Sequence, residues 1–191
     1  MAVGAAAVTP AAFADARKQL PGGGAVMLPS PYRTDPDYPT YADRAEKVLV
    51  AYRKWRPTMS GHPECDGMLA IAPASSFAPA SSFSSLDAFV NHARVALSIQ
   101  WGDATRIPGQ AWTGDEVRYQ SEHATGANGP ELTCQLAVHR VGFFGVHDEK
   151  AHLFAVAHKT GVHIAVWLFD KHGGVSCARR ISDGIASSFR A

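Results

Sequence analysis

Four short runs of alternating apolar and polar residues fill the chain between Glu116 and Phe169, and they constrain the fold more than any other feature. The runs are EVRYQSEH (Glu116–His123), ELTCQLAVHRVGFF (Glu131–Phe144), AHLFAVAHK (Ala151–Lys159) and VHIAVWLF (Val162–Phe169). A period of two is the signature of a strand with two distinct faces. In the longest run Leu132, Cys134, Leu136 and Val138 share one face. The connections ATGANGP, GVHDEK and TG are short and rich in turn formers. Strands joined this way form an antiparallel meander.

Helical periodicity flanks the meander. Leu86, Phe89, Val90, Ala93 and Leu97 form an apolar stripe over Leu86–Gln100, with Ser85 as the predicted cap. The closing CARRISDGIASSF places Ile181, Ile185 and Phe189 four residues apart. Upstream, Pro10–Leu20 reads as a short helix broken by PGGG, a linker. AVMLPS and Met68–Pro73 read as short strands. Thr40–Arg56 reads as a helix through Tyr41, Ala45, Val48, Leu49, Tyr52 and Trp55, with Thr40 as cap, although VLVAYRKW also alternates as a strand. The fold class is α+β: an antiparallel sheet, built on a C-terminal four-strand meander and covered by helices. Residues 1–24 form an Ala/Gly-rich leader or short helix, and residues 25–191 form a single domain.

The last two runs carry the functional expectation. With Thr160-Gly161 as a two-residue turn, His158 pairs with His163 and Ala157 with Ile164. One face then holds Leu153, Ala155, Ala157, Ile164, Val166 and Leu168. The other holds His152, Phe154, Val156, His158, His163, Ala165, Trp167 and Phe169, with no lysine or carboxylate. A wet sheet face carries charge, so both faces are predicted to be covered, giving an α-β-α sandwich. His152, Phe154, His158, His163, Trp167 and Phe169 are the candidate partner-binding residues, because aromatic side chains are enriched at interfaces. His158 and His163, facing each other at about 5 Å between Cβ atoms, are the candidate metal pair, suited to zinc or copper.

GHPECDG gathers His62, Glu64, Cys65 and Asp66, all able to bind metal, in a turn-forming context. Cys177 stands where the last helix should begin, next to Arg179 and Arg180, a setting that activates a thiol. Three cysteines allow one disulfide with one thiol left over. Phosphate loops, nucleophile elbows and zinc-binding spacings are absent from the sequence. The formal net charge of +1 and the scattered basic residues give no electrostatic basis for nucleic-acid binding. With 46% hydrophobic and 18% charged residues the composition is globular, and no stretch reaches the roughly 20 apolar residues of a membrane span. The Ala-rich start ends in AFA before Asp15, the form of a signal-cleavage site.

Several segments together resemble the PsbP-like proteins, extrinsic lumenal proteins of photosynthetic membranes. They are ELTCQLAVHRVGFF, the paired strands HLFAVAHKTGVHIAVWLF, the closing ARRISDGIASSF, and upstream AVMLPSPY, MLAIAPASS and SSLDAFVNHARVAL. The similarity spans about Ala25 to Phe189. It implies an α-β-α sandwich, a largely non-catalytic role and a thylakoid-lumen location, with the cytoplasm as the alternative. The AFADA leader is similar to the end of a lumen-targeting sequence. The same fold occurs in Ran-binding import proteins and bacterial secretion chaperones. The expected function is a non-enzymatic accessory or extrinsic subunit, without a cofactor, that docks on a larger protein complex. Two alternatives are a small metal-binding protein or enzyme using His158 and His163 or the His62–Asp66 loop, and a profilin-like soluble interaction module.

Overall fold

The alternating runs become long strands in a computed structural model that describes residues 16–30, 32–34, 47–52, 67–77, 82–97, 117–142, 145–169 and 174–191. β1 (Ala16–Gln19) and β2 (Ala25–Leu28) form a hairpin. β3 (Leu49–Tyr52) and β4 (Gly67–Pro73) follow, then a 3-10 turn (Ala74–Ser76) and α1 (Phe83–Leu97). β5 (Val117–Gly126), β6 (Gly129–Gly142), β7 (Gly145–Ala157) and β8 (Val162–Phe169) form the meander, and α2 (Val175–Ser188) closes the described chain.

One six-stranded sheet has the order β3-β4-β8-β7-β6-β5, with every pairing antiparallel. The meander accounts for four consecutive positions. β4 docks beside β8 because its apolar run, Met68 to Ala72, is buried on both faces. α1 covers one face with Leu86, Phe89, Val90 and Ala93, packed on Ala70, Leu132, Cys134, Leu153, Ala155, Ala165 and Trp167. α2 covers the other with Cys177, Ala178, Ile185 and Ala186, packed on Leu69, Ile71, Phe154, Val156, Ile164 and Val166. The β1-β2 hairpin joins the α2 layer. Leu20, Val26 and Leu28 lie in its core, Met27 N–H donates to Ser188 Oγ at 2.8 Å, and Ala25 bridges to Arg190. The architecture is thus α+β, with an antiparallel sheet between helices, as the doubly apolar strands require. Among the described residues no helix is long and apolar enough to cross a membrane.

Four local expectations change. Ala16–Gln19 is a strand rather than the end of a helix, because its backbone pairs with β2 and PGGG is the turn between them. Leu49–Tyr52 is a strand rather than helix, because it pairs with Met68–Ile71 of β4. Residues 145–150, read as a turn, are the first part of β7 and pair with β6. Ser82 rather than Ser85 caps α1. Its Oγ accepts the Ser85 N–H at 3.2 Å, which leaves the Ser85 hydroxyl inside the helix and facing the sheet. The leader before Ala16 and the His62–Asp66 loop lie outside the described residues.

The fifth change decides the site. Ala157, not His158, pairs with His163, and Phe154 pairs with Val166. The β7-β8 turn contains four residues, not two. Gly161 N–H donates to the His158 carbonyl at 3.0 Å, and His158 N–H donates to the Val162 carbonyl at 2.9 Å. This is a tight turn over Lys159-Thr160 followed by a bulge at Gly161, whose φ of +95° is strained for any residue with a Cβ. The extra residue shifts the register by one, and a one-residue shift moves every side chain of one strand to the opposite face.

Candidate functional site

The bulge at Gly161 divides the expected histidine-aromatic surface in two. His163, Ala165 and Trp167 face α1, while His152, Phe154 and Val156 face α2. Phe154 and Trp167 therefore lie on opposite sides of the sheet. Phe154, His158, His163 and Trp167 are all buried. His152 is half-buried, and Phe169 pairs with Ala151 where β8 ends. Phe154 and Trp167, on opposite sides, share no joint surface.

His163 is 0% exposed and sits between β8 and α1. Its Nε2 lies 2.9 Å from Ser85 Oγ, and its ring lies against Phe89, with centroids 5.4 Å apart, and beside Phe77 at 6.4 Å. Nδ1 has no hydrogen-bond partner among the described residues. With aromatic rings around it, the imidazole is held neutral. Burial, and secondarily the charge of His158, lower its pKa from 6.5 to about 4. The Ser85-His163 pair ties helix to sheet, and both side chains are buried.

His158, 3% exposed, closes β7 on the other side. Its Nε2 lies 4.0 Å from Asp183 Oδ1 of α2, too far for a hydrogen bond. Burial lowers its pKa, and Asp183 partly opposes this. With His163 directed at α1 and His158 at α2, the two rings cannot share one metal ion. Among the described residues no group of three or more histidine, cysteine, aspartate or glutamate side chains is placed to hold one.

The residues that sequence reasoning missed link α2 to the two hairpins it covers. Asn128, in the β5-β6 turn, donates from Nδ2 to Asp183 Oδ1 at 2.6 Å, and its carbonyl accepts the Lys159 N–H at 2.9 Å. Glu131, buried at the start of β6, accepts from Arg179 Nη2 of α2. The same guanidinium lies over the Phe154 ring, 5.3 Å from its centroid. A Cβ at Gly126 would collide with the Glu131 carboxylate, so glycine there makes room for the ion pair. Two signals were present in the sequence: a lone carboxylate opening an apolar run at Glu131, and Arg179 and Asp183 one helical turn apart. These contacts lock both hairpin turns to α2. Arg179→Met is expected to lower stability by about 2 kcal/mol in urea unfolding, because it strands a buried carboxylate. The loss stays below that of a fully buried pair because the Arg179 side chain is 51% exposed. Glu131→Gln in the same background is expected to restore part of it.

Cys177 is disulfide-bonded and is not an activated thiol. Cys134 is a thiol within the α1-side core. At the surface, Phe83 is 37% exposed where α1 begins. Its ring centroid is 5.1 Å from that of His123 on β5, and His123 Nε2 lies 2.7 Å from Asp87 Oδ1. Residues 121–125 of β5, the edge strand, are all exposed. No family model and no curated protein matches this chain.

Proposed function

We propose that this chain is a non-enzymatic accessory subunit that docks on a larger protein complex. One observation carries the reading: the described side chains best suited to acid-base work are buried and engaged between layers. His163 is bonded to Ser85 of α1, His158 faces Asp183 of α2, and Glu131 holds Arg179. At the surface, His123, Asp87 and Phe83 stand together where α1 meets the edge strand β5. An exposed aromatic beside a polar pair, where the start of a helix meets an edge strand, suits a protein partner. The resemblance to PsbP-like proteins supplies the class of assembly, a photosynthetic membrane complex approached from the lumen.

The test is recovery of the tagged chain from its native membranes under mild solubilisation. It is expected to co-migrate in stoichiometric amount with a multi-subunit assembly. Phe83→Asp is expected to release it while leaving the thermal midpoint of the purified protein unchanged. Migration of the wild-type chain as a lone monomer, or identical assembly by the Phe83→Asp chain, would overturn the reading and this surface respectively.

A further inference from the structure

We propose that Asn128 is a deamidation site, and that its conversion to aspartate or isoaspartate frees the β5-β6 turn from α2. Gly126 pairs with Gly129, so Ala127 and Asn128 form the turn between the two strands. Asparagine is a ready turn former. Glycine is required directly after it: Gly129 has a φ of +137°, and a Cβ there would collide with the Ala157 carbonyl oxygen. The fold thus places glycine next to a partly exposed asparagine. Asparagine is a thermolabile residue, and a following glycine leaves its amide nitrogen unhindered by a side chain.

The reaction needs water alone. The Gly129 amide nitrogen gives up its proton to solvent and attacks Cγ of Asn128. A bond forms between that nitrogen and Cγ, the bond from Cγ to Nδ2 breaks, and Nδ2 leaves as ammonia. The product is a five-membered cyclic imide. Water then adds to one of its two carbonyls and opens the ring. One opening gives aspartate; the other gives isoaspartate, with the chain running through the side chain. One water is consumed and one ammonia released, with no change of oxidation state.

The nitrogen that leaves is the atom that holds the turn to α2. Asn128 Nδ2 donates to Asp183 Oδ1 at 2.6 Å, and the Asn128 carbonyl accepts the Lys159 N–H at 2.9 Å. A carboxylate at position 128 only accepts hydrogen bonds, so it offers Asp183 no donor and repels its charge. The link from turn to helix becomes a repulsion, while the Glu131–Arg179 ion pair remains as a tie between this hairpin and α2. The same hydrogen bond protects the asparagine. While Nδ2 is held by Asp183, Cγ is not free to turn toward the Gly129 nitrogen, so the bonded state reacts slowly and release from Asp183 opens the way.

The full-length protein is to be held in mildly alkaline buffer at physiological temperature, sampled over days, digested and analysed by mass spectrometry. The peptide carrying Asn128 is expected to gain the mass increment of an amide-to-acid change and to split into aspartate and isoaspartate forms. The chain's other asparagine, Asn91, is followed by histidine and should stay intact. Asp183→Ala, at a side chain that is 52% exposed, is expected to speed the conversion about tenfold, the factor set by losing a hydrogen bond to a charged group. Asn128→Gln should leave that peptide unchanged. Aged wild-type protein should exchange the Lys159 amide hydrogen faster than fresh protein, and Asn128→Asp should lower the thermal midpoint by roughly 3–6 °C. An Asn128 peptide that stays intact, conversion no faster in Asp183→Ala, or unchanged exchange at Lys159 after conversion would overturn the inference.

Discussion

Acidification from pH 6.5 to pH 4 is expected to remove about 3 kcal/mol of folding stability through His163 alone. The folded chain keeps this imidazole neutral down to about pH 4, because protonation would place a charge among Phe89, Phe77 and the sheet. In the unfolded chain the same group protonates near 6.5. Between these values the unfolded state binds more protons, so stability falls as pH falls. Above pH 6.5 the group adds no slope, and below about 4 both states are protonated and the loss is complete. At about 1.4 kcal/mol per pH unit, that interval amounts to ~3 kcal/mol. His158 acts in the same direction, with Asp183 reducing its share. Urea unfolding at half-unit pH steps checks this. His163→Gln keeps a hydrogen-bonding group near Ser85 without a titrating one, so its profile should be distinctly flatter between 6.5 and 4. Parallel profiles for the two proteins would show that the acid sensitivity arises elsewhere.

Truncation on either face of the sheet should be comparably costly. Phe89→Ala on the buried face of α1 and Phe154→Ala beneath α2 are each expected to lower unfolding free energy by about 3–5 kcal/mol, the transfer term of a lost ring plus the cavity it leaves. Both rings are almost completely buried, and each belongs to a different apolar cluster. Phe154 is the informative member. On a sheet face kept open for a partner, its removal from the isolated protein would cost under about 1 kcal/mol and the main loss would appear in binding. A large stability loss at both positions, read from denaturant midpoints, identifies two internal layers. It also directs the search for a partner to the outer edge, at Phe83 and His123.

Much of the architecture was legible because it rests on local periodicity. The stripe of Leu86, Phe89, Val90 and Ala93 specifies a helix with one buried face, and the alternation through Leu132 and Cys134 specifies a strand. An aliphatic face and a second face without lysine or carboxylate in the paired strands 151–158 and 163–169 required cover on both sides, and α1 and α2 provide it. Short elements were not legible. Leu49–Tyr52 has apolar positions that suit either period, and only pairing with β4 makes it a strand.

The site was less legible than the fold, and the reason is one residue. The same HKTG segment supports a two-residue turn at Thr160-Gly161 or a four-residue turn ending in a bulge, and local preference separates them weakly because glycine is favoured in both. Three-dimensional packing decides. The adopted register sends Ile164, Val166 and Leu168 to α2 with Phe154 and Val156, and gives the α1 side Trp167 among the smaller Ala155, Ala157 and Ala165. The sequence by itself determined that this would be an antiparallel sheet between helices, because period two and period 3.6 are properties of single segments. Tertiary structure alone decided which side each histidine faces, because register is a property of two strands and of the layers that close over them.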